Sequence, residues 1–183
     1  MRLPGGSLAE GCAMQRVDAV VVMGVTCCGK SSVADALAER AGGRHIEGDA
    51  WHSPANIARM RAGIALEDAD RRHWLSRLGA LLADSVARGE RPVLSCSALR
   101  RDYREQLRSA VPALGFVFLQ LDEQEVRRRL AGRHGHFMSA DLIPSQFTAL
   151  EPPLNEPAVL TLDATLPVAE IARRAALWWR GHD

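Results

Sequence analysis

The stretch DAVVVMGVTCCGKSS, residues 18 to 32, decides the fold. Its first half, Asp18 to Gly24, is β-branched and apolar and ends in glycine, the pattern of a strand buried on both faces of a parallel sheet. Its second half, Gly24-Val25-Thr26-Cys27-Cys28-Gly29-Lys30-Ser31, matches G-x-x-x-x-G-K-[ST]. The residues that follow, SSVADALAERA, form a helix pattern stopped by Gly42-Gly43. Strand, glycine-bounded turn and helix in that order are the context in which such a pattern carries weight.

Outward from this unit, helices and strands alternate. RHIEG (44–48) reads as a second strand, and NIARMRAG after Pro54 as a short helix. Glu67 to Arg88 repeats apolar residues at helical spacing through Trp74, Leu75, Leu78, Leu82 and Val86. RPVLSCSA (91–98) and GFVFLQL (115–121) read as strands, LRRDYREQLRSA between them and EQEVRRRLAGR after them as helices. AVLTLD (158–163) and VAEIARRAALWWR (168–180) supply a last strand and a closing helix. The pattern predicts an α/β fold, a five-stranded parallel sheet covered on both faces, with ligands at the carboxyl ends of its strands. His134 to Asp141 has no clear period and joins two helical patterns, as a cover over a site would; the lid is placed at about 133–141.

At 183 residues the chain suits one domain, placed at 17–183, with residues 1–16 expected to be a disordered tail outside it. A formal net charge of +1 gives no reason to expect broad attraction to nucleic acid or membranes, and no base-reading motif is present. No apolar run approaches the roughly 18 to 20 residues that span a bilayer, and the first segment lacks a signal-peptide core, so a cytoplasmic protein is expected. The four cysteines, Cys12, Cys27, Cys28 and Cys96, form no CxxC pair, which argues against a disulfide framework or a zinc site. Among 23 Lys+Arg residues only Lys30 is lysine.

The glycine-bounded loop explains that lysine. Backbone N–H groups from Gly24 through Ser32 and the positive helix end can cradle phosphates, and the compact Lys30 ammonium can reach the β and γ phosphates of ATP. The Ser31 hydroxyl can ligate Mg²⁺. Asp49 follows the second strand, where a carboxylate could accept the proton of an attacking hydroxyl or hold a metal-bound water. His52 could bond substrate hydroxyls or serve as a structural imidazole beside Trp51. Asp68 and Asp70 suit the positive end of the long helix, whereas Arg71 could grip a carboxylate with both guanidinium arms or salt-bridge at the surface. Ser97 and Arg100 lie just past the third strand and could face the acceptor. Arg129 and Arg133 are four residues apart, hence on one helix face, and lead into Gly135-His136-Phe137. They could close over the triphosphate, or form a solvated basic face as Arg127 and Arg128 do.

VVMGVTCCGKSS, EGDAWH, NIARMRAG, LEDADRRHWL, CSALRRDYR and GRHGHFM, in that order, resemble the gluconokinase family of P-loop kinases, over residues 20 to 150. The resemblance implies sheet order 2-3-1-4-5 and phosphorylation of D-gluconate on its 6-hydroxyl by ATP. It makes Asp49 the base or orienter of that hydroxyl, puts Arg71 near the substrate, and suggests a homodimer. Gln146 belongs to the family pattern without an evident role. Two other readings stay open: another small-acceptor kinase of the same superfamily, or a nucleotide-binding regulator without turnover.

The family loop has glycine where Cys27 stands. If φ is positive there, a side chain costs on the order of 1 kcal/mol. Two thiols beside Lys30 and a helix end could also gain thiolate character and sensitivity to oxidants, or could merely fit.

Overall fold

A computed structural model describes residues 16–131 and 142–182. Residues 1–15, Arg133, His136 and the expected lid lie outside these. Five strands, β1 (Ala19–Met23), β2 (Arg44–Glu47), β3 (Pro92–Ser95), β4 (Leu114–Gln120) and β5 (Val159–Asp163), pair in parallel in the order β2-β3-β1-β4-β5. The seven helices among the described residues are α1 (Lys30–Ala41), α2 (Pro54–Arg61), α3 (Asp68–Ala87), α4 (Arg101–Ala110), α5 (Glu123–Ala131), α6 (Ile143–Ala149) and α7 (Val168–Arg180).

The alternation along each strand sorts side chains onto two faces. Val20 and Val22 of β1, with Val117 and Leu119 of β4, join the core under α1 and α7, where Leu37, Ile171 and Trp179 pack. Ala19, Val21 and Met23, with Phe116 and Phe118, join the core under α3 and α4, where Trp74, Leu78, Leu82 and Leu107 pack. All five β1 residues are buried, which is why this strand reads as continuously apolar. Full burial of each large aliphatic side chain contributes about 1.5–3 kcal/mol. Trp179 belongs to this core and donates its indole N–H to Val17 O, while Trp178 packs partly buried beside it.

Strand order places the site. From β1 the chain crosses to β2 and β3 on one side, and from β3 it crosses back to β4 on the other. The loops leaving β1 and β3 therefore diverge and open a crevice at the carboxyl edge. Gly24 N–H donates to Ser97 O across it at 3.3 Å.

Three local details differ from the sequence reading. β3 ends at Ser95 rather than residue 98, because Ala98 takes a left-handed φ of 42° that no strand continues. α4 begins at Arg101 rather than Leu99, with Arg100 extended in front of it. Gly48–Trp51 forms a 3₁₀ turn directly after β2, which no periodicity announces. Among the described residues no helix is long and apolar enough to cross a membrane.

Candidate active site

The phosphate loop hangs between β1 and α1. Gly24 (φ 142°) is forced: a Cβ there would stand 2.7 Å from Leu119 O and 2.9 Å from Cys28 Sγ. Cys27 takes φ 58°, so the chain does hold a side chain in a left-handed position. Gly29 (φ 93°) turns the chain into α1. Lys30 Nζ donates to Val25 O at 2.9 Å, folding its stem back over the loop. Ser31 and Ser32 are exposed in the first turn of α1, beside the positive helix end.

Two side chains from distant helices hold this loop. Gln146, on α6, accepts the Thr26 N–H on Oε1 at 2.7 Å. Arg129, on α5, donates to Cys27 O at 3.3 Å and to Ala164 O at 2.8 Å, and its Nε pairs with Glu125 at 2.8 Å. Arg127 and Arg128 instead pair with Glu123 and Glu125 on the outer surface, as their sequence positions suggest.

The facing wall comes from the ends of β2 and β3. Asp49 sits in the 3₁₀ turn, and its N–H points to the Glu47 carboxylate at 3.5 Å; Glu47 is itself fixed by the Ser95 hydroxyl at 2.7 Å. Burial raises the Asp49 carboxyl above its ordinary range, with Lys30 opposing and Glu47 reinforcing the rise. A carboxyl raised in this way holds a proton more readily than a solvated aspartate does.

His52 is buried and stacks on Trp74, not Trp51, with ring centroids 4.1 Å apart. Trp74 in turn donates its N–H to Gly48 O at 2.9 Å, so one indole fixes both the turn and the imidazole. Burial first, and the Arg71 charge second, push His52 down to about 4, so the ring is neutral near pH 7. Its Nε2 lies 4.0 Å from Asp49 Oδ1, and its buried Nδ1 has no hydrogen-bond partner among the described residues. Arg71 Nε donates to Leu66 O at 3.3 Å, which anchors the guanidinium.

One pocket gathers Thr26, Cys27, Gly29, Lys30, Ser31 and Ser32 with Asp49, His52, Arg71 and Ser97, closed by Met60, Leu66, Leu99, Leu142 and Gln146. Of the substrate-side candidates, Arg100 stands outside it. Because α4 starts two residues later than expected, Arg100 turns to Asp68 (3.1 Å) and Asp102 (3.4 Å) at the surface. Asp68 also receives the Tyr103 hydroxyl at 2.7 Å, which together with Arg100 holds its carboxyl low. The thiolate expectation also fails for Cys28: burial raises that thiol, outweighing the opposing charges of Lys30 and Arg129. Cys96 is likewise buried and pushed up to about 12, a packing residue rather than a nucleophile.

Sequence reasoning passed over Arg104. This fully buried guanidinium donates to Ala98 O (2.9 Å), Leu99 O (3.0 Å) and Glu151 O (3.0 Å), and pairs with Glu156 through Nε at 3.0 Å. It clamps the left-handed turn beside Ser97. The available signal was its position: Arg104 shares one helix face with Tyr103, Leu107 and Val111, where an arginine must be paired. Glu156 would rise through burial alone, but the hydrogen bonds from Arg104 and Arg108 outweigh that and hold it below the usual carboxylate range.

A family model described as an AAA domain matches residues 20–151. The chain is similar to the gluconokinase of Gluconobacter oxydans, 46% identical over 141 residues, 77% of this chain and 79% of that one. Among solved structures, a sugar kinase from Janibacter superposes with a TM-score of 0.85 at 37% identity, covering 90% of this chain and 95% of that one. A gluconokinase from Sinorhizobium meliloti gives 0.81 at 44% identity, covering 91% and 94%.

Proposed function

The chain belongs to the gluconokinase family, built on the AAA domain matched above, and on that premise we propose that it transfers the γ-phosphoryl group of ATP to the 6-hydroxyl of D-gluconate. The observation that carries this reading is the shared pocket, in which the phosphate loop faces Asp49, His52, Arg71 and Ser97. A donor-side cradle and an acceptor-side set of polar groups around one space are what phosphoryl transfer requires, since its catalysis is mostly positioning and charge stabilisation.

We assign the roles as follows. The loop N–H groups and Lys30 bind phosphate oxygens; Lys30 exchanges its contact with Val25 O for them. Asp49 orients the acceptor hydroxyl and takes its proton. Arg71 receives the gluconate carboxylate, and the neutral His52 ring offers one donor and one acceptor to the hydroxyls between. Ser97 adds a hydroxyl on the β3 side. Arg129 stands at the loop's outer flank and is assigned to the nucleotide; from sequence alone, Arg133 is assigned to the nucleotide and the transferring phosphate, and His136 to the substrate.

A Mg²⁺ arriving with ATP suits the donors present. Ser31 and Asp49 supply hard oxygens on the pocket wall, the one or two protein ligands that phosphate-borne Mg²⁺ takes, and among the described residues no set of three His, Cys, Asp or Glu side chains could hold a metal unaided. Bound there, the ion would neutralise phosphate charge.

The test is ADP release with Mg·ATP in reducing buffer, comparing D-gluconate with shikimate, nucleoside monophosphates and no acceptor. ADP formed with D-gluconate alone is the expected result; turnover with another acceptor and none with D-gluconate overturns the assignment.

A further inference from the structure

The phosphate loop of this chain carries an unusual burden at Cys27, a non-glycine residue at φ 58°. The two-residue stretch Thr26-Cys27, which carries that turn, is held from outside the loop at both ends. At its start, Thr26 N–H donates to Gln146 Oε1 at 2.7 Å; at its end, Cys27 O accepts from Arg129 at 3.3 Å. Thr26 is nearly fully buried, so its N–H has little access to water and depends on a protein acceptor. The two holders come from different helices, α6 and α5, and Arg129 is itself braced by Glu125 and Ala164 O.

We propose that Gln146 is a positioning residue of the phosphate loop: with Arg129 it brackets Cys27 and holds the left-handed turn in the shape that presents the loop's N–H groups to the triphosphate. A glycine at position 27 would take that turn without help, because αL carries no Cβ penalty for it. The demand on Gln146 is therefore set by Cys27, and the two residues are energetically coupled although they do not act on the same ligand atom. The carboxamide suits the task, since its carbonyl end accepts the Thr26 N–H. This inference rests on the reading of the loop as an ATP site and is independent of which acceptor is phosphorylated.

The test is a cycle of four proteins, native, Gln146→Met, Cys27→Gly and the double variant, each titrated with Mg·ATP by calorimetry without acceptor. Gln146 is half-buried and methionine preserves its length, so the fold is not at risk. Gln146→Met should weaken ATP binding about tenfold in the native background and less than about threefold in the Cys27→Gly background, a coupling of the size seen between interacting sites. In the ligand-free protein, Thr26 amide exchange should quicken in Gln146→Met and stay slow in Gln146→Glu, which keeps the acceptor oxygen. Equal losses in both backgrounds, or unchanged Thr26 exchange in Gln146→Met, overturn the proposal. Failure of the native protein itself to bind ATP would instead overturn the reading of the loop.

Discussion

Replacing Arg104 by methionine removes a guanidinium that the fold has fully enclosed, at nearly constant volume. The side chain is 0% exposed and that of its partner Glu156 only 5%. The variant would leave Glu156 with Arg108, at 2.8 Å, as its remaining partner and would strip a donor from the carbonyls of Ala98, Leu99 and Glu151. Deleting one member of a buried ion pair costs about 3–5 kcal/mol. For a chain of this length each kcal/mol moves the melting temperature about 2–4 °C, so a fall of roughly 6–20 °C is expected. With total stabilities of about 5–15 kcal/mol the variant should still fold at 25 °C, which permits kinetics. There the KM for D-gluconate should rise while Mg·ATP affinity changes little, because the freed turn at Ala98 carries Ser97 and not the phosphate loop. Adding Glu156→Gln removes a buried carboxylate that has lost one of its two guanidinium partners and should recover at least about 1 kcal/mol. Thermal melts of both variants, with steady-state kinetics, test this. A fall below about 2 °C, or a double variant no more stable than the single one, would refute the reasoning.

Asp49→Asn should lower kcat/KM for D-gluconate roughly 10²–10⁴-fold, the usual loss for a general base. The same substitution should raise the melting temperature of the ligand-free protein at pH 7. The folded carboxyl lies above its unfolded value, so the fold binds that proton more tightly. Its contribution is therefore greatest in acid and is lost as pH rises from the unfolded value through the folded one. The stability gap between variant and native protein should close as the pH is lowered, and a native protein more stable than the variant at pH 7 would contradict this. Gly48→Ala would place a Cβ 2.3 Å from Ser95 O, backbone against backbone between β2 and β3. A loss of about 3 kcal/mol in urea unfolding is expected, with activity falling as Asp49 shifts; full stability would show that the strands can separate there freely.

What could be seen in the sequence was whatever is local. β1, the phosphate loop and α1 are contiguous, and their period change from strand to helix marks them; α7 has the bounds its apolar spacing predicts, Val168–Arg180. Sheet order came from resemblance to a family, since no local pattern says that β1 lies between β3 and β4. The place of Asp49 on the pocket wall was legible because a strand end fixes where the next residues project. Arg100 was misplaced because α4 starts at Arg101, which leaves Arg100 in extended backbone with its side chain on Asp68 and Asp102 at the surface. Gln146 and Arg104 act through partners that sequence reading cannot pair, the first with Thr26 120 positions away and the second with Glu156 52 positions away. The positive φ at Cys27 could be anticipated only as a condition on the loop's shape; its bracket of two distant side chains could not.

Lys30 sits half-buried in the loop with its ammonium on Val25 O. Because every other basic side chain apart from the histidines is arginine, an amine-selective acylating reagent meets a single lysine, and that lysine lines the pocket beside the phosphate loop. Side-chain amine labelling, as distinct from labelling of the α-amino group, is thereby a footprint of the phosphate loop. The mass increment on the tryptic segment containing Lys30 would report loop occupancy directly, and conjugation schemes built on lysine would silence the molecule they were meant to display.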